Sequence, residues 1–73
     1  MSTLPVVATE LEIMAVAEIA RALGISAGRV HQLIRTDETF PAPGAVLSVG
    51  KIWRTADVEA WARRHGRTFT PGP

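Results

Sequence analysis

The chain has 73 residues, 47% of them hydrophobic and 21% charged, with a formal net charge of +1. That length sets one domain with a limited core, and the apolar content excludes a wholly disordered chain. The absence of cysteine removes disulfides, thiolate zinc sites and thiol nucleophiles, and the near-neutral charge excludes an indiscriminately basic coat for nucleic acid.

The first eight residues offer neither a cap nor a hydrophobic period, so residues 1–8 are expected to form a flexible N-terminal arm. They do not read as a secretory signal: a basic leading region is missing, and Glu10, Glu12 and Glu18 interrupt the apolar residues. No apolar run is long enough to cross a membrane. Over residues 9–16, Leu11, Ile13 and Ala15 alternate with Glu10, Glu12 and Met14, as in a short strand, yet Glu, Leu, Met and Ala also favour helix. An extended segment or one irregular turn is favoured, with the first regular helix near residues 16–23.

Residues 17–36, AEIARALGISAGRVHQLIRT, read as a helix-turn-helix. Two helices crossing steeply need a small residue at the crossing, which Ala20 supplies, and a turn residue tolerant of positive φ, which is Gly24. Ser26 is placed to cap the second helix, expected from Ala27 to Thr36. At about 100° per residue, Val30, Leu33 and Ile34 form an inward stripe, with Ala27 on the same side. Gly28, His31, Gln32 and Arg35 turn outward, with Arg29 and Thr36 on the flank. This outward face has no acid before Asp37. Arginine can pair bidentately with guanine and glutamine with adenine, while the other polar groups can meet phosphate oxygens. The small residues Ala27 and Gly28 would let the helix start approach a phosphate closely.

Charge follows the same division. Residues 1–28 hold one arginine against three glutamates, whereas residues 29–73 hold seven Lys and Arg against four acids.

Residues 37–44, DETFPAPG, end the helix, and two X-Pro steps force Phe40 and Ala42 toward extended backbone. Phe40 is expected to anchor this loop on the core. Two β-favouring runs, roughly 45–48 and 51–54, then flank Val49-Gly50. Gly50 can supply positive φ, but a valine at the first turn position leaves the turn type open. A lone hairpin is unstable, so its apolar face, including Trp53, is expected to pack on the helices. Lys51 and Arg54 would then project where a wing meets a DNA backbone. For the last helix, Thr55 is the expected N-cap, and Asp57 and Glu59 oppose the dipole in the first turn. Val58, Trp61, Ala62 and His65 share one face, so Trp61 is assigned to the core. Gly66 can close the helix, and residues 67–73 are expected to be a flexible tail.

The stretches VAEIARALGISAGRVHQLI, FPAP, the hairpin ending in IWR, and TADVEAWARRHG, in that order, cover about residues 11–66. Together they resemble the small winged helix-turn-helix proteins of the MerR-like and excisionase-like group, above all the short AlpA-type regulators and phage excisionases. The resemblance implies a mainly α fold with a β-hairpin wing, a single domain over residues 9–66, a second helix entering the major groove, and a wing on the flanking backbone or minor groove. By position, Ser26, Gly28, Arg29, His31, Gln32 and Arg35 become the recognition-helix contacts, and Lys51 and Arg54 the wing contacts. Unlike full-length MerR-type activators, this sequence has no effector domain or long dimerisation helix, and its wing is less basic than in many relatives.

The expected function is therefore sequence-specific double-stranded DNA binding, as a transcriptional regulator or an excisionase directing recombination. A recombinase or the transcription machinery is an expected partner, with cooperative self-association on DNA, no membrane partner, and a cytoplasmic, nucleoid-associated location. The alternative is a protein–protein interaction module that docks on a recombinase, repressor or polymerase without reading DNA. No enzyme is expected: His31 and His65 lack a neighbouring nucleophile, and the acids fit loop solvation or helix-end electrostatics. No cofactor and no metal is expected either, since the sequence has no phosphate-cradling glycine loop and no recognisable ligand set.

Overall fold

In a computed structural model, residues 12–48 and 50–71 are described. The arm expected over residues 1–8 lies outside them. The elements run β1 (Ile13–Met14), α1 (Val16–Leu23), α2 (Ala27–Thr36), β2 (Ala45–Leu47), β3 (Gly50–Arg54) and α3 (Thr55–Arg64). Three helices thus pack with a three-stranded antiparallel sheet of order β1-β3-β2.

Of the two signals in residues 9–16, the alternating one prevails at Ile13 and Met14. The reason is a partner distant in sequence: Ile13 lies opposite Arg54 and Met14 opposite Trp53. On the other side of β3, Ala45 faces Ile52 and Val46 faces Lys51. The two-residue period puts Met14, Lys51 and Trp53 on one face of the sheet and Ile13, Ile52 and Arg54 on the other. The first face meets the helices. Trp53 is fully buried there, and its indole Nε1 donates to the Pro41 carbonyl at 2.8 Å.

Local chemistry sets the helix ends. Before α1, the Glu18 carboxylate accepts from the Ala15 N–H at 2.9 Å, which is the acidic half of a capping box. After it, Gly24 takes φ 72°. The Gly24 N–H then donates to the Arg21 carbonyl, and the Ile25 N–H to Ala20 at 3.0 Å, the Schellman pattern. A Cβ at Gly24 would meet nothing within 4 Å, so backbone conformation alone demands glycine here.

Ile19, Val30, Trp53, Val58 and Trp61 are fully buried, and Leu23, Leu33 and Phe40 complete the centre of the core. The Phe40 ring meets Trp61 edge-on at 4.9 Å and Trp53 edge-on at 6.2 Å between centroids. Such aromatic pairs contribute about 0.5–1.5 kcal/mol each beyond area burial. One phenylalanine thereby fastens the proline-rich loop to both the sheet and α3.

Two sequence-based expectations need correction. Thr55 is not the N-cap of α3: it is already helical and buried, and Arg54 holds the cap position with no side-chain cap bond. Strand β3 runs straight into α3, so the Thr55 N–H extends the β1 pairing by donating to the Glu12 carbonyl at 3.2 Å. The hairpin packs on the helices through Trp53, as expected of its apolar face, and the rest of it stands clear of them. Val46, beside Lys51, remains 70% exposed because only the Trp53 end of that face reaches the core, and Leu47, 53% exposed, lies on the opposite face. Finally, the segment after α3 does not run free over residues 67–70. Phe69 packs against the core, and the Thr70 N–H donates to the Ala22 carbonyl at 2.8 Å, so the chain folds back onto α1. Among the described residues, no helix is long and apolar enough to cross a membrane.

Candidate nucleic-acid interface

Helix α2 begins where the Ser26 hydroxyl accepts from the Arg29 N–H at 3.0 Å. Val30 and Leu33 are buried and Ile34 is half-buried, which fixes the roll of the helix. Gly28, Arg29, His31, Gln32, Arg35 and Thr36 are left exposed, and α2 carries no acid. No described part of the chain covers them. At Gly28 a Cβ would meet only the Ser26 Oγ, at 3.9 Å, so internal packing does not require a glycine there.

The exposed side chains of α2 are partly tied to one another. Arg29 Nη1 donates to the Gln32 side-chain Oε1 at 2.7 Å. The Thr36 hydroxyl donates to the Gln32 carbonyl at 2.8 Å, so its proton is held within the helix. A phosphate oxygen only accepts, so Thr36 in this rotamer has no donor to give one. Arg35 Nη1 lies 3.4 Å from the His31 carbonyl, a long contact that leaves most of the guanidinium fork open.

The hairpin brings one further cation to this helix. Lys51 lines a groove of about 470 Å³ together with Val16, His31, Ile34, Arg35, Gly50 and Trp53. The groove runs between α2 and β3, with the first residue of α1 also lining it. Arg54 is not gathered with them. It lines a separate hollow with Glu12, Ile13, Gly44, Ala45 and Ile52. The pleat explains the division: Lys51 and Arg54 are three residues apart on one strand, an odd step that places them on opposite faces. Sequence reasoning joined two wing cations, and the sheet register separates them.

A second polar cluster, between α2 and α3, escaped sequence reasoning. Asp37 follows the last turn of α2, and its Oδ1 accepts from both the Thr39 N–H at 2.8 Å and the Thr39 hydroxyl. The Thr39 Oγ1 also accepts from Trp61 Nε1 at 3.1 Å and lies 2.9 Å from His65 Nε2. With its own proton given to Asp37, the hydroxyl can only accept, so His65 Nε2 carries a proton. The side-chain bond from Thr39, followed by its backbone bond, holds the Asp37 carboxyl below its ordinary range. His65 in turn lies over Trp61, with ring centroids 4.9 Å apart. The signal in the sequence was the Asp-x-Thr spacing, which forms a local turn through side-chain bonding.

Among the described residues, no three His, Asp or Glu side chains gather as a metal set. No family model, curated protein or solved structure matches the chain.

Proposed function

We propose that this chain is a sequence-specific double-stranded DNA-binding protein of the winged helix-turn-helix type, serving transcription control or site-specific recombination. In this reading α2 lies in the major groove and the β2–β3 hairpin is the wing. The observation that carries it is the make-up of one continuous surface. Arg29, His31, Gln32 and Arg35 stand exposed on a helix without acids, and Lys51 opens onto the same groove as His31 and Arg35. Arginine and glutamine at the helix centre suit base edges, and a lysine at the rim suits a phosphate. The amides left free at the capped start of α2 favour a second phosphate.

Selecting bound duplexes from a random pool tests this directly. Enrichment of a defined site supports it, and a flat pool recovered at low salt refutes sequence reading. A protein-docking role alongside DNA binding is favoured by one observation, the exposure of Ile13, Val46 and Leu47 on the sheet. Binding that survives nuclease and high salt would mark that role.

A further inference from the structure

The groove beside β3 divides the exposed side chains of α2 into two sets, and the inference drawn from that division rests on the DNA-binding reading above. Arg29 and Gln32 are bonded to each other at 2.7 Å and do not line the groove. His31 and Arg35 line it, together with Lys51 from β3. Arg35 approaches the backbone carbonyl of His31, so that contact leaves the imidazole unused. The ring is exposed and has no hydrogen-bond partner among the described residues. The charged groups facing it are Arg35, one turn along α2, and Lys51 across the groove; α1 contributes only Val16, and no acid lines the groove. The other histidine is differently placed, since His65 Nε2 is engaged by Thr39 and its ring lies over Trp61.

A neutral imidazole offers one donor and one acceptor, whereas a phosphodiester oxygen only accepts. The protonated ring offers two donors and a positive charge, so a phosphate beside it favours that form. Histidine changes charge between about pH 5 and 8, where lysine stays cationic. An acid in the groove would supply the counter-charge from within the protein and leave little for DNA to change. None lines it. We propose that this groove seats a DNA backbone phosphate against Lys51 and His31, and that His31 takes up a proton when it does. DNA binding then tightens as the pH falls. The contact is with the backbone, so the effect carries no sequence preference, and Arg35 is left to the base edge.

The test titrates the full chain and His31→Gln against a selected and a scrambled duplex, at about pH 6 and about pH 8 and fixed salt. Glutamine suits an exposed helical position and cannot titrate. The parent chain should bind both duplexes about three- to fivefold more tightly at the lower pH, the upper range for one exposed ion pair. Its salt slope there should be steeper by about one. His31→Gln should lose both differences. His65 and the N-terminal amine also titrate in this range but are unaltered in the variant, so a pH difference that persists in it belongs to them and overturns the proposal. Equal affinity of the parent chain at both pH values overturns it too, as does a gain confined to the selected duplex, which would put His31 against a base. These outcomes leave DNA reading intact. A parent chain that binds neither duplex removes both.

Discussion

The indole N–H of Trp61 donates to the Thr39 hydroxyl at 3.1 Å, joining the fully buried ring of α3 to the loop that follows α2. This bond keeps the end of the exposed helix in register with the core. Replacing Thr39 with alanine leaves the indole donor without its partner, at a cost of about 1–3 kcal/mol. Thermal or urea unfolding at neutral pH should register that loss. An unchanged midpoint would mean that the bond holds nothing.

The same cluster sets a pH dependence. Asp37 is held below its ordinary value by bonds from Thr39, so folding favours its ionised form. Its contribution is complete above the usual carboxylate range and disappears as pH falls through the folded-state value. Asp37→Ala should therefore be less stable than the parent chain at pH 7, with the gap closing below about pH 4. A gap that persists unchanged at acid pH would contradict the assignment.

The tail supplies a third prediction. Phe69 is half-buried against the core and Thr70 is bonded to Ala22. Phe69→Ala should destabilise by about 1 kcal/mol, roughly half the effect of a fully buried aromatic. A freely moving tail would give no change in the unfolding midpoint.

What the sequence made legible, and what it hid, divides by the range of the interactions. The turn at Gly24, the Ser26 cap and the extent of α2 follow from neighbours within a few residues, and the structure has them at those positions. The three helices and a hairpin were readable on the same grounds. Ile13–Met14 is a strand only because β3 lies beside it, and the role of Thr55 depends on that pairing. No local pattern contains this information. Likewise, the outward face of α2 was legible from helical period, but not the bond from Arg29 that orients Gln32. The placement of Arg54 is of another kind. Strand alternation was available in the sequence, and counting three residues from Lys51 would have placed Arg54 on the opposite face.

That separation is itself testable. Lys51→Ala should weaken binding to all duplexes alike and lower the salt slope by about one. Arg54→Ala, on the far face, should leave the slope unaltered. Equal effects from both would mean that the DNA wraps around the sheet edge rather than lying along the α2 groove.

The most direct measurement is a titration of Arg35→Ala against a selected duplex and a scrambled one at fixed salt. Arg35 is exposed and shares its groove with Lys51, so its removal leaves the core untouched. If α2 reads bases, affinity for the selected duplex falls by about 1–3 kcal/mol, and affinity for the scrambled duplex changes much less. Equal affinities for the variant and the parent chain on both duplexes would show that this helix does not read DNA.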